Sequence, residues 1–232
     1  MRTNSHHYVS SFKILFTTVF LVVLLPFTAQ AQILIGGELG GTRSDITKPN
    51  KLAPGASWNY RFGFSAGLLL DLPISGDIRL RPEIHYIQKG FNGDGISANI
   101  IFGKVAVTNS YIELLIYMKY SLGGNYLHWF LLGGPTIGYL LSSNSEVTDN
   151  QEANGNIDTK GLDLYKSYDL TINVGVGLEY PLSSGYYLVP TLRYYHGVIK
   201  VDEPPSGAIN ATSQSYSRTI QLTVGIVFPV SQ

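Results

Sequence analysis

Between Asp77 and His85 every second residue can ionise: Asp77, Arg79, Arg81, Glu83 and His85 alternate with Ile78, Leu80, Pro82 and Ile84. Acids, bases and an imidazole spaced this closely along one side of a chain can do one of two things. They can pass a proton between them, or they can pair and neutralise one another. Glu38, Asp71, Glu113, Lys119, His128, Glu179 and Arg193 stand in similar surroundings, each beside an apolar residue. What these groups do depends on whether the fold brings them into one interior.

Other residues invite chemistry less strongly. His85 and His128 lack a second His or a Cys at metal-ligand spacing, so a hydrogen bond to a carboxylate or tyrosine is the expected role for each. His196 falls on the apolar phase of its strand, where a lipid-modifying enzyme could place a base, but no serine accompanies it on that face. Asn150 to Gly161 partly imitates a calcium loop, with Gly155 at the sixth place. It lacks the closing Glu and flanking helices, so a flexible acidic surface loop is expected. Asn210-Ala211-Thr212 fits a glycosylation acceptor, a pattern without reliable meaning in a bacterial envelope protein. No metal and no cofactor are expected.

The elements that must position the charges are strands. A period of two places alternate side chains on opposite faces of a strand. Eight such segments follow one another: Ile33–Gly41, Tyr60–Leu72, Asp77–Lys89, Val107–Tyr120, Tyr126–Leu141, Lys166–Tyr180, Tyr186–Lys200 and Arg218–Val230. Long polar links (42–59, 90–106, 142–165, 201–217) alternate with tight ones (73–76, 121–125, 181–185). Loops long at one end and short at the other are the pattern of outer-membrane barrels.

Turn parity tests the faces, because residues paired across an antiparallel hairpin point to the same side. The second and third strands both turn inward at odd numbers and need an odd loop, which Pro73-Ile74-Ser75 supplies. The fourth and fifth need an even one. Gly123-Gly124 is a two-residue hairpin signal that would set Lys119 opposite His128. Leu182-Ser183-Ser184 would set Arg193 opposite Asn173.

Composition decides which face looks inward. Charged residues are 14% of the chain, against roughly 25% in a soluble domain. The polar faces are rich in Gly, Ser, Thr and Asn, as a cramped interior requires. The apolar faces end in aromatics such as Tyr60, Tyr86, Tyr120, Tyr168, Tyr180, Tyr194 and Phe228, as interface girdles do. The expected fold is all-β: a closed eight-stranded antiparallel up-and-down transmembrane β-barrel. Its apolar face meets membrane lipid, and its lumen is wide enough only for side chains. Within that lumen Glu38, Arg81, Glu83, Glu113 and Arg193 should lie near mid-depth. Asp71, Asp77, Arg79, Lys119, His128 and Glu179 should lie toward the short-turn end. Opposite charges there should pair and plug the cylinder.

Ahead of the barrel, residues 1–31 read as a cleaved signal peptide, with Arg2 and Lys13 before the apolar run 14–27. Ala29-Gln30-Ala31 offers the small residues of a cleavage site, which gives a barrel domain over 32–232 beginning at Gln32. There is no Cys, so an exported domain must be stable without disulfides. With a net charge of zero, nothing suggests steering toward nucleic acid, and no nucleic-acid partner is expected.

Several motifs in order resemble the PorT-like outer-membrane β-barrel family, the small exported barrels of Gram-negative envelopes. They are Gly36-Gly37-Glu38-Leu39-Gly40-Gly41, Gly63-Phe64-Ser65-Ala66-Gly67, Leu80-Arg81-Pro82-Glu83 through Gln88-Lys89-Gly90, and Tyr111-Ile112-Glu113-Leu114. Leu131-Leu132-Gly133-Gly134-Pro135, Gly175-Val176-Gly177-Leu178-Glu179 and Leu192-Arg193-Tyr194 complete the series. The chain departs from outer-membrane practice at Pro229-Val230-Ser231-Gln232, where no aromatic stands at or next to the terminus. The resemblance implies an integral outer-membrane protein and carries no catalytic motif. The expectation is a monomeric, non-enzymatic envelope component, with long loops outside and both termini periplasmic. Contact with an envelope or secretion protein would run through those loops. A narrow solute or proton channel and a lipid-modifying enzyme are the alternatives.

Overall fold

A computed structural model describes residues 32–47, 57–96, 103–124, 126–149, 154–158, 166–182, 185–200 and 216–230. They form nine strands: β1 Leu34–Ile46, β2 Ser57–Ser75, β3 Ile78–Ile96, β4 Gly103–Gly123, β5 His128–Asp149, β6 Asn154–Asp158, β7 Tyr168–Pro181, β8 Tyr187–Gly197 and β9 Ser217–Pro229. Every pairing is antiparallel. The order β1-β2-β3-β4-β5-β7-β8-β9 returns to β1, so eight strands close a barrel. The ninth, β6, pairs with the far end of β5. Closure follows from the solvent: lipid cannot hydrogen-bond a free strand edge, so β9 and β1 satisfy one another along their whole length.

The alternation seen in the sequence becomes an inverted distribution of polarity. Leu39, Phe62, Leu68, Leu114, Ile116, Ile137, Ile172 and Leu222 are exposed, while Arg81, Glu83, Glu113, Lys119 and Arg193 are buried. Charged residues are the ones least often fully buried in water-soluble proteins, and large contiguous apolar surfaces are rare on them. Here the greasy surface is the lipid contact. Yet the lumen is less polar than its sequence pattern implies. Leu69, Ile87, Leu115, Phe130 and Leu132 also point inward, and they pack with Tyr111, Tyr117 and Tyr195. Apolar side chains fill the gaps between ionised ones.

Parity held at the tight turns, but their lengths did not. Lys119 lies opposite Leu132, and His128 opposite Glu179, because β4 runs to Gly123 and β5 starts only at His128. Arg193 lies opposite Gly175, and Tyr195 takes the place across from Asn173. Adding two residues to a hairpin loop preserves parity and moves the register, which is why the faces were legible and the partners were not. Gly76, at φ 52°, makes the β2–β3 turn with Asp77 beside it, so Asp77 is exposed in the turn and not in the lumen.

At the opposite end the strands outrun the bilayer. β4 and β5 have 21 and 22 residues, where about 9 to 11 cross a membrane. The expected loop 142–165 is therefore partly strand. The pairing shifts between Ser110↔Ser142 and Tyr111↔Leu140. This irregularity moves the inward phase of β5 from even to odd numbers: Thr136 and Leu140 are buried below it, Ser143 and Ser145 above. Asn154–Asp158, expected within a flexible loop, is extended and paired with residues 144–148. An extended backbone does not wrap its oxygens around one ion, so the calcium-like spacing has no matching geometry there. The remaining positions of 150–161, the sequence Asn210-Ala211-Thr212 and residues 1–31 lie outside the described residues, and Gln32 is the first inside them.

A lysine placed at Ile116, exposed midway along the apolar face of β4, should cost about 2–4 kcal/mol, whereas Tyr60→Lys at the girdle should cost about 0–1 kcal/mol. Urea unfolding in phospholipid vesicles measures both; equal costs would mean that the apolar band does not face lipid.

Candidate functional site

The barrel interior carries its ionisable groups in three layers, each assembled from strands distant in sequence. At the short-turn end, Asp71 of β2 accepts from Arg79 Nε of β3 at 2.6 Å and from Lys119 Nζ of β4 at 2.6 Å. Lys119 also donates to Glu179 of β7 and lies 4.8 Å from the centre of the Phe130 ring. Two cations meet two carboxylates, so this layer is neutral. His128, expected here, is only half-buried, because the longer β4–β5 link places it at the first residue of β5.

The middle layer is the most buried. Arg193 of β8 donates to both oxygens of Glu38 on β1, at 2.6 and 3.0 Å, and through Nη2 to both oxygens of Glu83 on β3, at 3.0 and 3.1 Å. Thr223 and Gln221 of β9 accept from its Nη1 at 3.0 and 3.2 Å. Arg81 Nε stands 2.8 Å from Glu83, and His85 Nε2 lies 3.0 Å from Glu83 and 3.3 Å from Glu38. Those contacts are close but off the hydrogen-bond axis. Gln221 secures the layer from the side: it accepts from the Tyr195 hydroxyl at 2.6 Å and donates to Ser65 at 2.8 Å. Charge-assisted bidentate bonds are the strongest available to a carboxylate, and here they leave little of either Glu unpaired.

Glu113 belongs to a third layer, nearer the long-loop end. Lys89 Nζ sits 2.6 Å from Glu113 and donates to Asp169 of β7 at 2.9 Å, while Ser217 of β9 donates to Asp169. Lys89 lies 5.3 Å from the centre of the Tyr195 ring and 5.5 Å from that of Tyr111. A cavity of about 20 Å³ borders Lys89, Asn109, Tyr111, Asp169, Ser217 and Thr219, room for roughly one water. Lys89 and Asp169 escaped the sequence reading of the site. The odd-numbered phase of β3 continues past His85 and Ile87 to Lys89, and Asp169 lies on the polar phase of β7, so the faces of both were legible and only their place in a charge layer was not.

Glycines make the space for this network. A Cβ at Gly67 would lie 2.1 Å from His85 Cδ2, and one at Gly225 would lie 3.0 Å from the Glu38 Cβ. One at Gly138 would meet Glu113 at 3.2 Å, and one at Gly175 would meet Arg193 Cγ at 3.1 Å. Each is the cross-strand partner of the side chain it accommodates. Glu38, Glu83 and His85 also offer three metal-type donor atoms within 4.8 Å of one another. Two guanidiniums already occupy those carboxylates, which is the environment of an ion-pair network.

The family model described as an outer membrane protein beta-barrel domain matches residues 28–203. The chain belongs to that family. Its fold resembles OprG of Pseudomonas aeruginosa with a TM-score of 0.51 at 11% identity, over 87% of this chain and 97% of that one. A major outer membrane protein of Thermus thermophilus gives 0.49 at 13% identity, over 83% and 99%. Neisserial surface protein A gives 0.44 at 13% identity, over 86% and 98%. No curated protein matches the sequence. As a member of the family, this barrel is an integral protein of the outer membrane.

Removing Arg193 should expose the dependence of the barrel on its middle layer. Arg193→Ala leaves Glu38 and Glu83 buried with Arg81 alone beside them, one cation for two carboxylates, a cost of about 3–5 kcal/mol. Adding Glu38→Gln, which leaves Glu83 to pair with Arg81 at 2.8 Å, should recover a large part of it. Urea midpoints followed by the heat-modifiable gel shift report both steps. Gly67→Ala should likewise destabilise the barrel, by about 1–3 kcal/mol, because the new Cβ would stand 2.1 Å from the ring of the buried His85.

Proposed function

We propose that this protein is a non-enzymatic outer-membrane barrel that conducts no solute and acts through contacts made at its long-loop end. The reading rests on one observation: the lumen is crossed at three levels by paired charges, with Arg193 linking β8 to β1 and β3 at mid-depth. A solute path would require these pairs to part, and each separated charge would stay buried without its partner. Within its family we place it with the PorT-like barrels, on the ordered motifs from Gly36 to Tyr194 and above all Arg81-Pro82-Glu83 followed by Gln88-Lys89-Gly90.

In this reading the long links face the cell exterior and both termini face the periplasm. The rigid wall carries the contact surface clear of the bilayer. Binding residues held on a stiff scaffold do not have to order themselves on contact. The extended ends of β4 and β5 with β6 supply that scaffold, and an envelope or secretion protein is the class of partner it suits.

Two measurements test the proposal. In planar bilayers the purified protein should give no current above that of an empty membrane; steady conductance would replace this reading with a channel. In pull-downs from detergent extracts of envelopes, a chain lacking residues 151–160 should lose a partner that the intact chain retains, while its heat-modifiable gel shift stays unchanged. Capture of the same proteins by both chains would remove the β6 region from the contact.

A further inference from the structure

The wall is not equally tall all round. On β8, β9 and β1 the strands end soon after the aromatic girdle, and there the outward face changes abruptly from apolar to charged. Along β9 the outward series Phe228, Ile226, Val224, Leu222 and Ile220 gives way to Arg218. Ile220 is flanked by Arg43 on β1 and Tyr194 on β8, and Arg218 by Asp45 and His196. Two successive outward rows therefore read Arg43–Ile220–Tyr194 and Asp45–Arg218–His196. All of these but His196 border a recess of about 210 Å³ that also meets Tyr60.

The two arginines are held differently. Arg218 pairs with Asp45 at 2.9 and 3.0 Å, and both side chains are 38% exposed, so water or a ligand reaches them. Arg43 lies with its guanidinium carbon 3.9 Å from the centre of the Tyr60 ring, and among the described residues no carboxylate pairs with it. Stacking fixes the guanidinium plane while leaving its N–H edge available. The patch thus carries two cations and one anion. It sits at the level of tyrosines, where lipid headgroups meet the barrel. An outward arginine deeper in the apolar band would be costly, whereas at the interface its cost falls to about 0–1 kcal/mol and can be offset by an anion.

We propose that Arg43 and Arg218, framed by Tyr60 and Tyr194, bind the phosphate of a lipid headgroup on the outer surface of the barrel. The lipid chains would lie along Phe64 and Leu222, one outward row below Arg43, so the site reads phosphate and acyl chain together. Nothing in it depends on the plugged lumen or on the long-loop contact, and it stands or falls separately.

Detergent-purified protein, exchanged into nanodiscs of phosphatidylcholine doped with bisphosphorylated lipid A or with its dephosphorylated form, tests the site by native mass spectrometry of retained lipid. Wild type should retain the bisphosphorylated lipid. Arg43→Gln with Arg218→Gln should retain about tenfold less, and Lys200→Gln, an exposed cation outside the recess, should match wild type. Asp45→Asn should raise retention by releasing Arg218. The heat-modifiable gel shift verifies that each variant is folded. Equal retention by the double variant, equal retention of the dephosphorylated lipid, a loss in Lys200→Gln, or a fall in Asp45→Asn would each overturn the assignment. Inorganic phosphate in the same molar excess should leave the lipid bound; displacement by phosphate alone would overturn the lipid reading.

Discussion

Arg193 reaches from one side of a cylinder to the other, and much of the structure is arranged around the two carboxylates it meets. A guanidinium at mid-membrane depth has no water to retreat to, so it must find anions, and Glu38 and Glu83 reach it from β1 and β3. Satisfying it fixes where those strands stand relative to β8, which amounts to fixing the diameter and shear of the barrel. The requirement then spreads outward. Glu38 needs Gly67 and Gly225 on either side, His85 needs the missing side chain at Gly67, and Gln221 must turn toward Arg193 between Ser65 and Tyr195. Pairing of this kind is weak evidence for net stability, because desolvation takes back much of what the ion pairs return. What it specifies strongly is one arrangement, since any other leaves a charge unmatched.

Lipid outside and charge inside explain why so much of the fold was legible from the chain alone. An alternation of period two survives any error in strand ends, and parity survives any error of two residues in a turn. The faces of β2, β3, β4, β7, β8 and β9 followed from the sequence for that reason. Partners did not follow. The choice between His128 and Leu132 opposite Lys119, or between Asn173 and Gly175 opposite Arg193, depends on how many residues a turn spends leaving the ladder. Near Gly123-Gly124, two consecutive glycines made a tight turn look favourable, whereas β4 ends at Gly123 and β5 begins only at His128.

The candidate site shows the same division. That Glu38, Arg81, Glu83 and Arg193 converge was readable from phase and depth. That Glu113 leaves them for Lys89 was not, because its depth falls between two layers and only the side-chain lengths decide. Lys89 Nζ meets Glu113 at 2.6 Å, and Asp169 on the opposing wall adds a second acid to hold that ammonium. Nor did charge patterning alone reveal that Leu69, Leu115 and Phe130 share the lumen. Ion pairs cannot tile a cylinder, and the space between them excludes water only if something apolar fills it. Phe130 does this against Lys119 and Arg81, so the same ring seals the gap and faces two cations.

The uneven rim follows from strand length. β2 to β5 carry ladders well past the span a bilayer requires, while β1, β7, β8 and β9 stop near its edge. A tall wall beside a low one offers two unlike surfaces to two unlike media. Backbone pairing continues above the lipid on the tall side, where β6 adds to β5 and stiffens it. On the low side the outward face meets the headgroup region directly, so residues there must suit both acyl chains and phosphates within two rows of a strand. Ile220 and Arg218 make that change over three residues of β9. The change cannot lie deeper, because a cation in the apolar band is costly, and it cannot lie higher, because β9 begins at Ser217.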